Sequence, residues 1–367
     1  MSTEHEKQAQ RGATNLIRNC LGADAGQTLL IVGEEGEWCH YDRDLCDFLA
    51  QTARELGLKA EIVIAPQTNT AADVPAELVA AIAAADHTVF FARMADQLRF
   101  LGIPGSRSMF ACYTQTRDVL ADRFAQIDHR LMQEVYDRVV VAIEASQTCR
   151  IICPDGTDLQ GAVSFPDGGD ELTDFAVEPF PVMIFPPVDC LAMSGQLSLA
   201  HWLTSSSTNI YEGSVFTPRS PVMAQLEEGI ITEFVGEAGE AARIKAHFER
   251  VGAMAGGNPF AVNSWHTGIN PRNYSTNQPG QDLERWSNAV FGSPRFTHFH
   301  ACGTDPGDIA ISLFDATISF DGEAFWQDGR FAFLDWPEMQ ELLQRYPGNE
   351  DAFEMRWDIG FERSNAA

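Results

Sequence analysis

Three of the nine histidines fall close together, His266 in "NSWHTGINPR" and His298 and His300 in "RFTHFHACG". In an extended strand, residues i and i+2 point to the same face. His298 and His300 would then look one way, and Thr297 and Phe299 the other. Two imidazoles side by side are neutral nitrogen donors of the kind that hold a divalent metal, although the same pair also reads as polar decoration of a strand. His266 precedes a Gly268, Asn270, Pro271 turn, where a histidine can simply bond to backbone. His5, His40, His87, His129, His201 and His247 have no chelating spacing and read as surface or packing residues.

An acidic candidate follows in "GDIAISLFDATISFDG". Alternation places Asp315 on the apolar face of Ile309, Ile311 and Leu313. A carboxylate buried there needs a bound cation or an arginine, because unpaired it is costly or takes up a proton. Asp308 and Asp321 read as turn residues at strand ends. Two histidines and a carboxylate form a facial set for non-haem iron, with positions left open for substrate and oxygen. The same residue types suit zinc, which would prepare a water for hydrolysis. Cys302 lines up with the histidines by alternation only. The chain has neither a GxSxG elbow nor an HExxH pair. Ser264 and His266 lack the third, orienting group of a working dyad.

The elements that must carry these residues divide the 367-residue chain in two. Over residues 1–145, "QTLLIVGE", "LKAEIVIAP", a third strand ending "HTVFFAR" and "SRSMFACYT" alternate with helical stretches, one of them over residues 42–56. That alternation predicts an α/β layer with a mostly parallel sheet. Gly33 and Gly36 do not complete GxGxxG, and the acids of "VGEEGEWCH" oppose a pyrophosphate, so these glycines read as turn residues. Over residues 146–367 strands alternate with Gly, Asp and Pro turns. "PVMIFPP" and "GIITEFVG" read as strands, "AGEAARIKAHFERV" as a helix and "DGEAFWQDGRF" as strand and turn. This half reads as an α+β domain that carries the metal site.

Composition excludes several classes of partner. Lys+Arg of 25 against Asp+Glu of 52 gives a net charge of −27, which repels nucleic acid and anionic membranes. The eight cysteines include no CxxC pair and do not form a disulfide scaffold. The polar start "MSTEHEKQAQRGATNL" and the lack of a long apolar stretch predict a cytoplasmic protein.

Four stretches, "PDGTDLQGAV", "EEGIITEFVGEAGE", "SWHTGINPR" and "LFDATISFDG", give the chain a family likeness, clearest over residues 151–322. Together they resemble the superfamily of the metal-dependent M29 aminopeptidases (aminopeptidase T type) and the ring-cleaving 2,5-dihydroxypyridine 5,6-dioxygenase. The resemblance implies an α/β N-terminal domain, a catalytic domain with metal ligands on late strands, and a homo-oligomer. It also implies either two metals among glutamates, histidines and an aspartate, or one iron held by two histidines and an aspartate.

This chain departs from that pattern. The first ligand position falls closest to Ser264, with His266 two residues on. The late His-x-Asp pair falls on Leu313 and Asp315, and the intervening histidine falls nearest Phe299, between His298 and His300. Only Asp315 carries over directly. The expected metal set is therefore His266, His298, His300 and Asp315. The three histidines and Tyr274 are the catalytic candidates, and Arg272 and Trp265 are candidates for the pocket wall. Without the glutamates, one metal is the better fit. The first expectation is an Fe(II)-dependent ring-cleaving dioxygenase using O₂ on a small hydroxylated aromatic or N-heterocycle. The second is a zinc or manganese hydrolase of an amide or peptide bond, and the third is a non-catalytic member that kept the fold.

Overall fold

The run "TLLIVGEE" is apolar on both sides of its alternation, as a strand covered on both faces must be. It forms Thr28–Glu35 (β1). Leu29 and Ile31 pack with Ala13 and Leu49, while Leu30 and Val32 pack with Leu78 and Ile82, so helices cover both faces. The computed structural model describes residues 3–36, 39–98, 103, 108–165, 179–206, 209–303 and 307–362. Strands Lys59–Pro66 (β2), His87–Phe91 (β3) and Ser108–Ala111 (β4) complete a parallel sheet in the order β2-β1-β3-β4. These four strands and the helix Asp44–Glu55 lie where the sequence places them. Gly33 does not serve a turn. It lies inside β1, where an added Cβ would come within 2.7 Å of Cys46 Sγ and Ile64 Cδ1, so close packing excludes a side chain.

The later strands are Thr148–Ile152 (β5), Asp158–Ala162 (β6), Val188–Asp189 (β7), Ser194–Ser198 (β8), Leu203–Ser205 (β9), Met223–Glu227 (β10) and Ile230–Val235 (β11). They continue with Asn258–Thr267 (β12), Phe296–Gly303 (β13), Ile309–Phe314 (β14), Thr317–Phe320 (β15), Glu323–Gln327 (β16) and Arg330–Phe331 (β17). Their order is β17-β16-β15-β5-β6-β8-β10-β11-β12-β13-β14-β9, with β7 against β12. A single pair, Ile230 with Ala261, joins β11 to β12. The stretch "PVMIFPP" is not a strand: Ile184 makes one isolated bridge, to Gly268, and pairing resumes only at Val188. Pro181, Pro186 and Pro187 have no N–H to give a ladder. The helix Ala238–Ala255 forms where its apolar spacing predicts. Among the described residues no helix is long and apolar enough to cross a membrane.

The helix His129–Glu144 connects the two sheets, and its Leu131, Val135, Val139 and Ile143 lie in the core of the antiparallel one. His129 is buried at its start, and burial pushes its imidazole pKa down to about 4. In the unfolded chain the group titrates near about 6.5. Between those values the unfolded chain holds a proton that the folded one refuses, so this group's contribution to stability is lost as pH falls through the window. Urea unfolding from about pH 7 to about pH 4 should therefore show His129→Gln losing roughly 3 kcal/mol less than the natural chain. Equal losses would mean that His129 takes up its proton without unfolding.

Candidate functional site

Strands β12, β13 and β14 run antiparallel, and directly opposed residues share a face. Trp265 pairs with Phe299, and Phe299 with Ile311. That row, with Leu313, lies in the large apolar core. The residues in between form the other face. His266 pairs with His298 and His298 with Ser312, while Ser264 pairs with His300 and His300 with Ala310. An alternation that buries aromatics on one side thus gathers histidine, serine and alanine on the other.

The three imidazoles converge. Ring centroids are 4.1 Å apart for His266 and His298, 5.0 Å for His266 and His300, and 5.1 Å for His298 and His300. One donor atom from each lies within 4.8 Å of the other two. Metal–imidazole bonds of about 2.1 Å hold neighbouring donors about 3–3.4 Å apart, so the three rings would draw together to share one ion. His266 Nδ1 donates to the Phe185 carbonyl at 3.2 Å, which fixes its lone pair on Nε2. Ser264 Oγ, on the same face, is buried without a hydrogen-bond partner among the described residues. The donor chemistry and this buried hydroxyl both fit a site for a divalent metal and its ligand. Phe291 stacks on His298 with centroids 4.8 Å apart and 22° between planes, and Phe296 lies 5.8 Å from the same ring. His266 and His298 are buried; His300 is half-buried and marks the more open side.

The structure brings His266, His298 and His300 together and gives the fourth expected ligand, Asp315, another partner. Asp315 meets an arginine: Arg295 Nε donates to its Oδ1 at 2.7 Å and Nη2 to its Oδ2 at 3.0 Å, with both side chains buried. The physical reason is register. The Ile309–Leu313 face, to which alternation assigns Asp315, is the core face opposite the imidazoles, and at Asp315 the backbone leaves the strand with φ +54°. Gly329 packs so close that a Cβ there would lie 2.6 Å from Asp315 Oδ1.

Tyr274 packs beside the core of the parallel sheet with Arg356 3.8 Å above its ring. Arg272 faces Asp351 and Glu354 at 3.9 Å and 3.7 Å. Trp265 belongs to the core face, stacked near Phe320. Cys302 Sγ donates to the Phe248 carbonyl and stands outside the histidine group. Sequence reasoning overlooked Phe291, which lies just past the helix Leu283–Val290, where no strand alternation could place it. It also overlooked Arg295 as the partner of Asp315.

The fold is similar to that of 2,5-dihydroxypyridine dioxygenase from Pseudomonas putida KT2440, with a TM-score of 0.58 and 14% identity over 90% of this chain and 97% of that one. It is also similar to wild-type AmpT from Thermus thermophilus, with a TM-score of 0.49 and 13% identity over 89% and 99%. No family model matches the sequence, and no curated protein matches it. The likeness to the dioxygenase establishes the fold, and the superfamily resemblance carried by the four sequence stretches holds at that level.

Removing the charge of Asp315 would leave Arg295 buried and uncompensated. Asp315→Asn should lower unfolding stability by about 3–5 kcal/mol and leave the metal content of the folded protein unchanged. Denaturant unfolding and elemental analysis of the same sample check both halves. Stability kept with metal lost would return Asp315 to the metal.

Proposed function

We propose that the chain is a cytoplasmic, homo-oligomeric, mononuclear non-haem iron enzyme that opens the ring of a small hydroxylated aromatic or N-heterocycle with O₂. The observation that carries this reading is the convergence of three imidazole donors on one face of β12 and β13. The dioxygenase-like fold supports it. His266, His298 and His300 would hold the metal, with the Phe185 carbonyl orienting the first of them. Fe(II) held there supplies the redox contact between substrate and O₂.

The chain's own residues do the rest. Phe291 and Phe296 give a flat ring an apolar surface beside His298 and keep water from it. The half-buried His300 lies on the side from which a ligand enters. A second reading, a zinc or manganese hydrolase of an amide or peptide bond, is favoured by one feature. The donor group is all nitrogen, a set zinc accepts with its fourth position open to water.

Elemental analysis and an oxygen electrode test both readings. Protein loaded with Fe(II) should hold one metal per chain, and His266→Ala, His298→Ala and His300→Ala should each lower that content sharply. With dihydroxypyridines, catechols and hydroxyindoles, O₂ should be consumed one-for-one with substrate, since both oxygen atoms enter the product. Turnover of an amide panel under argon, without O₂ uptake on any ring, would reverse the ranking. Metal content far below stoichiometric after loading with iron, manganese and zinc in turn would reject both.

A further inference from the structure

Ser264 occupies the cross-strand position opposite His300 and lies one alternation before His266, so its side chain belongs to the imidazole face. Its relative exposure is 0%, and its Oγ has no hydrogen-bond partner among the described residues. Its neighbours do not satisfy it. Asp189, across from it on β7, turns Oδ1 onto the Leu191 amide at 2.6 Å. Trp265, next along β12, faces the opposite side of the sheet. A buried hydroxyl without a partner lowers stability, and alanine would fill the position without that penalty. Beside three converging donor nitrogens, the hydroxyl has a natural partner in the ligand that the site receives.

We propose that Ser264 is a positioning residue of the three-histidine site, donating its O–H to an ionised oxygen of a hydroxylated ring bound there. A hydrogen bond to a charged oxygen is stronger than one to a neutral oxygen, and burial strengthens it further. The hydroxyl therefore favours a ring hydroxyl that binds as its anion, its proton passing to solvent, over an ether oxygen of the same shape. This rests on the metal-site reading above and deepens it by naming the ionisation state of the ligand.

The test uses the full chain loaded with Co(II), whose visible absorption reports ligands without turnover, and catechol as the probe. Ser264→Ala should keep the cobalt content and the ligand-free spectrum, and should unfold at the same or a higher temperature. It should bind catechol about 10-fold more weakly, with the half-binding pH raised by about one unit. Ser264→Thr, which keeps the hydroxyl, should restore the affinity.

Loss of cobalt from Ser264→Ala would make Ser264 a ligand and overturn the proposal. Unchanged catechol affinity would overturn it too, whether or not the unfolding temperature falls. No spectral response to catechol in the natural protein would overturn the ligand class. Failure of the underlying metal reading looks different and is read without any Ser264 variant. The natural protein would take up no cobalt, or would keep it when His266, His298 and His300 are all replaced by alanine.

Discussion

The arrangement at the histidines depends on the pairing of His266 with His298 across β12 and β13. Side chains alternate with a period of two, so a slip of one residue would send His266 to the core side and bring Trp265 out. The opposite face holds the register. Trp265, Phe299, Ile311 and Leu313 are fully buried there, each contributing about 1.5–3 kcal/mol against exposure. A slip would forfeit several such terms at once, an amount comparable to the roughly 5–15 kcal/mol by which a whole domain is stable. Thr267 and Thr297 add a hydrogen bond on the core side at 2.9 Å, and Thr267 Oγ1 donates to the Phe296 carbonyl at 2.7 Å. The site is accurate because the far side of the same strands is heavily packed.

The buried Arg295–Asp315 pair extends that order to residues 357–362. Two buried charges are costly to desolvate and stabilise only when their hydrogen-bonding capacity is filled. Arg295 fills its own. Besides the two bonds to Asp315, Nη1 donates to the carbonyls of Trp357 and Phe361 at 2.6 Å and 3.0 Å, and Nη2 to Glu362 at 3.2 Å. Those bonds fasten the C-terminal segment so that Phe361 lies 4.2 Å from Phe314 and 5.3 Å from Trp202, centroid to centroid. Phe314 in turn pairs with Phe296, which borders His298. The carboxylate expected at the metal thus supports the aromatic surroundings of the site from behind.

What the sequence made legible follows from the range of each signal. Alternation within "RFTHFHACG" is local, and it puts His298 and His300 on one face. The match of His266 to that pair depends on cross-strand register between residues 32 positions apart, His266 and His298, which neither strand displays alone. Asp315 shows the same limit more sharply. Alternation assigned it to the Ile309–Leu313 face, but only the pairing of His298 with Ser312 shows that this face turns away from the imidazoles. The parallel strands were readable because each is a short apolar run between amphipathic helices. "PVMIFPP" misled because its apolar content suggests a strand while its prolines withhold the ladder's donors. Phe291 carried no signal at all, since its position is set by where a helix ends.

That helix also explains why a layer without a site histidine matters to the site. The helix Leu283–Val290 lies against the carboxyl ends of the parallel strands, where Arg285 Nη2 donates to Asp42 at 3.0 Å and Gln115 Nε2 to the Arg285 carbonyl at 2.7 Å. Glu284 faces Arg93 at 3.9 Å, and the Asn288 amide donates to His40 Nδ1 at 3.4 Å. Burial, reinforced by the charges of Arg93 and Arg285, holds His40 well below the usual imidazole range, which keeps Nδ1 an acceptor for that bond. One residue beyond the helix, Phe291 packs against the parallel sheet's core and stacks on His298. The polar contacts that dock the helix therefore set where this ring lies over the imidazole. A displacement of the parallel layer has two routes to the site, Phe291 on His298 and the segment that bridges Phe180 to Cys112 and ends at the Phe185 carbonyl on His266, while the antiparallel strands and their packed far face hold the histidines themselves.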